Sequence, residues 1–264
     1  MIENKKEFKL IAKKNPKSLL PNALTILGVC LGLSSIKFAI DLNYSMAVIV
    51  IGFAAILDTL DGRVARLIKG TSKVGKELDS LTDVISFGVA PGFIMYFWIL
   101  NEIGKFGWMA ILIYTVCCAL RLARFNLMVI EENETWKVNF FEGVPSPAAA
   151  GLVLLPLILN LSGLLQLENY TVLSLVSIVL TSILMVSKVP TYSLKRILIP
   201  RHLAIFLLLG IGIYVSLLIF YTFQTLFLTG IIYLMLIPIS FFHYRHKKKK
   251  SFITSSDEND EDVL

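Results

Sequence analysis

Charge is scarce in this chain, and so are the residues that hold soft metals or form cross-links. Asp, Glu, Lys and Arg make up 17% of the 264 residues, hydrophobic residues make up 56%, and the mean hydropathy is +0.74. That balance is too apolar for a soluble domain of this length and points to a multi-span membrane protein. The three cysteines, Cys30, Cys117 and Cys118, all lie inside apolar runs, which argues against a disulfide framework or zinc site and for small buried hydrophobes. His202, His243 and His246 have no acid or cysteine at metal spacing and read as interfacial residues. No basic n-region leads into a short apolar stretch with a small-residue cleavage site, so the N-terminus is expected to be retained cytoplasmic sequence.

Apolar runs, by contrast, are plentiful. A helix needs about 20 mostly apolar residues to cross the hydrocarbon core, with its backbone polar groups satisfied internally. Segments 19–40, 44–68, 84–100, 108–129, 147–165, 171–186, 203–220 and 224–242 meet that requirement. The fold class expected is therefore an all-α polytopic bundle of about eight transmembrane helices. Lysine and arginine then set the orientation, because short basic loops stay in the cytoplasm. Counted over alternate connections and both ends, 23 of the 25 basic residues fall on one side, leaving Lys37 and Lys105 on the other. Eight spans with both termini cytoplasmic satisfy this bias, and a seven-span arrangement breaks it at one end.

The flanks carry their own signals. Residues 7–14 alternate lysines with Phe8, Leu10 and Ile11 at helical spacing, which fits either a helix in the headgroup plane of an anionic leaflet or a plain basic flank. Lys247 to Lys250 fit an anchor on anionic membrane lipids, with no nucleic acid partner implied. The residues beyond Lys250 are polar and acidic and are expected to be disordered. The organisation expected is a juxtamembrane segment over 1–18, a main bundle of six helices over 19–188, two additional helices over 189–246 and a tail over 247–264.

Against this background four aspartates are out of place. Asp58, Asp61, Asp79 and Asp83 lie near helix ends, where aspartate costs less than the ~2.5–3.5 kcal/mol of a bilayer centre but still needs compensation. Asp58 and Asp61 are three apart and Asp79 and Asp83 four apart, so each pair projects from one helical face as a two-oxygen claw. One straight helix would separate Asp61 from Asp79 by about 27 Å at 1.5 Å per residue. The chain must turn back, and Gly70-Thr71-Ser72 supplies a C-terminal glycine followed by hydroxyl N-caps for a helical hairpin. Converging carboxylates without histidine or cysteine make a hard, oxygen-only site suited to Mg²⁺ or Mn²⁺. Gly62 and Gly75 clear side chains from the same faces, Ala65 keeps that surface low, and Arg66 offers a planar fork to a phosphate. Close helix packing is the other use such glycines have in lipid.

The spacing Asp58-x2-Asp61-Gly62-x2-Ala65-Arg66-x8-Gly75-x3-Asp79-x3-Asp83 resembles the complete motif of the CDP-alcohol phosphotransferase family, matching all eight of its defining positions. The resemblance implies a membrane enzyme that cleaves the pyrophosphate of a CDP-linked substrate, releases CMP and passes the phosphoryl-bearing part to an acceptor hydroxyl. It implies that Asp58, Asp61, Asp79 and Asp83 hold two divalent metals, with Asp83 also the general base. Gly62, Ala65 and Gly75 would accommodate cytidine and ribose, and Arg66 would meet a phosphate. Pro21-Asn22-Ala23-Leu24-Thr25 resembles the family's usual opening, with Asn22 and Thr25 able to reach the nucleotide phosphates or to serve as a cap and a helix hydroxyl. A homodimer is a further implication.

The acceptor must be sought elsewhere. Segments 83–92, 121–126 and 143–150 are similar to those of the phosphatidylserine synthase branch, whose substrates are CDP-diacylglycerol and L-serine. Arg121 and Arg124, three apart at a helix end, suit a substrate carboxylate or act as positive-inside anchors. Asn126, Lys137, Glu142 and Ser146 are weaker candidates for the serine pocket. A phosphatidylglycerophosphate or phosphatidylinositol synthase would share the aspartates. Outside this class, a divalent-cation transporter or a structural protein with paired acids would also carry membrane carboxylates.

Overall fold

A computed structural model of the chain describes residues 19–68, 73–127, 140–192 and 201–261. The residues fall into two compact units, 1–122 and 123–264. Five helices among the described residues are long and apolar enough to cross a membrane, at Leu20–Ile40, Tyr44–Leu67, Val74–Trp98, Lys105–Leu127 and Thr222–Arg245. The protein is a helical integral membrane protein.

In the first unit, α1 (Leu19–Ile40) and α2 (Tyr44–Leu67) form a tight antiparallel pair. Their turn is set locally: Leu42 takes a positive φ of 60°, and the Asn43 side chain caps α2 by accepting the Met46 N–H at 3.2 Å. The third span begins earlier than the apolar run at 84 suggests. It consists of α3 (Lys73–Asp83), a π-helical segment (Val84–Val89) and α4 (Ala90–Trp98), so Asp79 and Asp83 stand within the helix, ahead of its apolar part. A short 3₁₀ turn (Leu100–Ile103) leads into α5 (Lys105–Leu127).

Small residues set how closely these helices approach. Gly28 and Gly32, one turn apart on α1, face Thr82 and Ser86: a Cβ on Gly32 would lie 2.6 Å from Ser86 Oγ and 2.9 Å from its Cα. Close backbone approach through small residues is how helices associate in lipid, where burial of apolar surface contributes little. The contact is sealed by the Ser86 hydroxyl, which donates to the Gly28 carbonyl at 3.1 Å. Gly88 and Gly92 play the same part toward α5, where added Cβ atoms would meet Cys118 at 3.1 Å and Ile111 at 2.8 Å. At the other end of the third span Phe93, Tyr96, Phe97 and Trp108 form an aromatic cluster, as at a membrane–water boundary.

The second unit contains β1 (Phe140–Glu142), α6 (Ser146–Val153), α7 (Leu155–Ser162), α8 (Tyr170–Val186), β2 (Pro190–Tyr192), α9 (Arg201–Phe220) and α10 (Thr222–Glu261). The strands form a short antiparallel ribbon with Phe141 opposite Thr191. Gly143 follows at φ +76°, where an added Cβ would lie 2.7 Å from the Met185 carbonyl oxygen, so glycine is required there. The apolar stretch 147–165 is not one helix but two, broken at Leu154. Pro156 has no N–H for the Leu152 carbonyl, and the Ser177 hydroxyl donates to it instead at 2.7 Å. The backbone of α10 stays helical to Glu261, although the acidic composition after Lys250 favours no regular structure. A helix already nucleated in an apolar span propagates at little further cost.

Candidate active site

Two helices of the first unit bring the aspartates together. Asp58 and Asp61 project from the C-terminal part of α2, and Asp79 from the first half of the third span. One carboxylate oxygen from each of the three lies within 4.8 Å of the others. An ion bound to oxygens at 2.0–2.6 Å spans roughly 4–5 Å between opposite ligands, so this spacing admits a shared divalent cation. Asp83 adjoins the cluster through Asp58, close enough for the two carboxyls to hydrogen-bond. The chain has therefore turned back between Asp61 and Asp79, as the helical spacing requires. The proposed turn residues Gly70, Thr71 and Ser72 lie outside the described residues.

Asp61 is buried, and its orientation is held from α1: the Thr25 hydroxyl lies 2.8 Å from Asp61 Oδ2, with the Pro21 carbonyl 2.9 Å away as a second acceptor. Thr25 thus touches a carboxylate of the acidic group, a role that spacing alone did not single out. Asn22, one turn earlier, is half-buried.

Gly62 separates the two uses of a membrane glycine. A Cβ there would meet only Arg66 Nη2, at 4.0 Å, whereas Gly32 and Gly92 are crowded by neighbouring helices. Gly62 therefore opens a surface rather than closing a contact. Arg66 is exposed beside it and donates from Nε to the Gly62 carbonyl at 2.9 Å. Ala65 and Gly75 are half-buried.

The candidate acceptor residues separate. Arg121 is 9% exposed and near enough to Asp58 to act on it electrostatically. Arg124 instead donates from Nη1 to the Val186 carbonyl at 3.0 Å and pairs through Nη2 with Glu142 at 3.5 Å. Ser146 is buried at the start of α6, and Asn126 is half-buried near the end of α5. Lys137 lies outside the described residues. Sequence reasoning passed over Gly28, Gly32, Thr82 and Ser86, although both pairs stand at the i, i+4 spacing of close helix contacts. Cys118, expected as a small buried hydrophobe, is fully buried and also neighbours both Asp83 and Arg121.

The family model for CDP-alcohol phosphatidyltransferase matches residues 18–191, which include all four aspartates and the glycine-lined surface. The chain belongs to the CDP-alcohol phosphatidyltransferase family. A second model, CDP-alcohol phosphatidyltransferase 2, matches residues 202–238, across α9 and the start of α10. Among relatives in this family, a CDP-diacylglycerol–serine O-phosphatidyltransferase of Mycobacterium leprae is 35% identical over 86% of this chain and 76% of its own length. The Helicobacter pylori 26695 enzyme of the same name is 41% identical over 69% of this chain and 76% of its own. That of Methanocaldococcus jannaschii is 37% identical over 65% and 74%.

Proposed function

We propose that this phosphatidyltransferase moves the phosphatidyl group of CDP-diacylglycerol onto the hydroxyl of L-serine, releasing CMP. The single observation that carries the reading is the convergence of Asp58, Asp61 and Asp79 oxygens from two helices within 4.8 Å. It is joined by three relatives from distant organisms that bear the serine enzyme's name.

The donor set fits divalent cations: every ligand oxygen is a carboxylate, and among the described residues no histidine or cysteine ligand joins the three acids. Asp58, Asp61, Asp79 and Asp83 would hold two ions, Mg²⁺ or Mn²⁺, which when bound supply neutralising charge to the pyrophosphate and the departing CMP oxygen. Asp83 takes the proton of the serine hydroxyl as that oxygen bonds to the lipid-bearing phosphorus. The bond from that phosphorus to the bridging oxygen breaks, and its electron pair leaves on CMP. Gly62, Ala65 and Gly75 provide the low surface against which cytidine and ribose lie, with Arg66 and Asn22 reaching toward phosphates and Thr25 holding Asp61 in place. Arg121, buried beside Asp58, meets the serine carboxylate, and Arg124, Asn126, Lys137, Glu142 and Ser146 are further candidates for contacts to the acceptor.

In this reading eight helices cross the cytoplasmic membrane, with the active site and both termini in the cytoplasm. Residues 19–188 form the catalytic part, 189–246 add two helices, basic residues contact anionic lipids, and the enzyme works as a homodimer. Purified protein given CDP-diacylglycerol with serine, glycerol 3-phosphate or inositol tests the acceptor. The expected result is phosphatidylserine and CMP with serine alone. Product from either other acceptor would transfer the assignment to that branch, and divalent-cation flux without CMP release would mark a transporter.

A further inference from the structure

Asp79 and Asp83 occupy the last turns of α3, and the π-helical segment Val84–Val89 begins at the next residue. A π turn holds one residue more than an α turn, so what precedes it is rotated by about 100° from where an unbroken α-helix would carry it. That offset lets one span present two differently directed faces. Ahead of Gly88, Thr82 and Ser86 fit against Gly28 and Gly32 of α1, beside the aspartates that reach Asp58 and Asp61. Beyond it, Gly88 and Gly92 fit against Cys118 and Ile111 of α5.

The segment has an external support. Pro91 carries no N–H for the carbonyl four residues before it, that of Phe87. The Tyr114 hydroxyl, on a fully buried side chain of α5, donates to the Phe87 oxygen at 2.6 Å. The Thr115 hydroxyl donates to the next carbonyl, Gly88, at 3.4 Å. In a lipid environment a backbone carbonyl left without a donor is costly, so these hydroxyls help decide which helical pattern the segment adopts.

Resting on the phosphatidyl-transfer reading, we infer that Tyr114 is a positioning residue. Its hydroxyl keeps the π turn in place and thereby aims Asp79 and Asp83 at the carboxylates of α2. It touches neither substrate nor ion.

A purely structural role for the same hydroxyl makes a different prediction, and Pro91 separates the two. Alanine at position 91 restores an N–H that can satisfy Phe87 in the α pattern without Tyr114, at the cost of the π offset. The full-length chain, reconstituted in vesicles, is compared as wild type, Tyr114→Phe, Pro91→Ala and the double variant. Tyr114→Phe lowers kcat about tenfold to a hundredfold, with the serine KM nearly unchanged. The double variant regains wild-type thermal stability but not kcat, and both variants bind Mn²⁺ more weakly than wild type when titrated without substrate. A double variant that regains kcat together with stability overturns the inference, as does Tyr114→Phe with wild-type kcat and Mn²⁺ affinity. If Tyr114→Phe fails to fold, the double variant carries the test, and wild-type kcat and Mn²⁺ affinity in it overturn the inference equally. A wild type that binds Mn²⁺ yet releases no CMP sinks the phosphatidyl-transfer reading, while the Mn²⁺ comparison still decides Tyr114.

Discussion

The Thr25 hydroxyl and Asp61 Oδ2 stand 2.8 Å apart, a hydrogen bond from α1 to the only buried member of the Asp58, Asp61 and Asp79 group. A donor that fixes a ligand carboxylate is worth about tenfold to a hundredfold in metal affinity. Thr25→Val should therefore raise the Mn²⁺ concentration for half-maximal CMP release about tenfold, and Thr25→Ser should leave it near wild type. An unchanged Mn²⁺ requirement in Thr25→Val, with a raised KM for CDP-diacylglycerol, would instead assign the hydroxyl to the nucleotide.

Gly32 tests the close packing that seats α1. Its substitution by alanine places a Cβ 2.6 Å from Ser86 Oγ and 2.9 Å from Ser86 Cα, so the helices must part. The expected destabilisation is about 1–3 kcal/mol, read from unfolding in detergent. Gly52, with nothing within 4 Å of an added Cβ, is the matched control and should tolerate alanine. Equal stability of the two variants would contradict the packing account.

Helical periodicity made the aspartate claws legible: three- and four-residue spacings define one face each, and 17 intervening residues between Asp61 and Asp79 oblige a reversal. The same periodicity misled for the arginines. Arg121 and Arg124 share a face by spacing, yet one guanidinium lies by Asp58 and the other is bound to Val186 and Glu142. Which neighbour a side chain finds depends on packing from other helices, and no local pattern encodes that. Hydropathy likewise reads 147–165 as one run, because the break at Leu154 depends on Pro156 and on a serine 21 residues later in another helix.

That serine gives a third prediction. Removing the Ser177 hydroxyl with alanine leaves the Leu152 carbonyl without its donor inside the second unit. Hydrogen bonds of this kind in membrane proteins are worth about 0.6–1.7 kcal/mol, and a loss of that size is expected in unfolding measurements. Ser177→Thr retains a hydroxyl and should lose less. A Ser177→Ala variant as stable as wild type would remove the bridging role.

The two arginines should also part in kinetics. Arg121→Gln removes a buried charge beside Asp58 and should raise the serine KM about tenfold or more. Arg124→Gln should raise it less, since its guanidinium is already committed to Val186 and Glu142. A serine KM unchanged in both variants would withdraw the arginines from the serine pocket.

The most direct measurement of the central claim is CMP release from CDP-diacylglycerol and serine by the purified chain, with Mg²⁺ or Mn²⁺ added or chelated. Wild type should release CMP and form phosphatidylserine only with divalent cation present, and Asp79→Asn and Asp83→Asn should abolish both. Retained turnover in both variants, or turnover indifferent to chelation, would contradict the account.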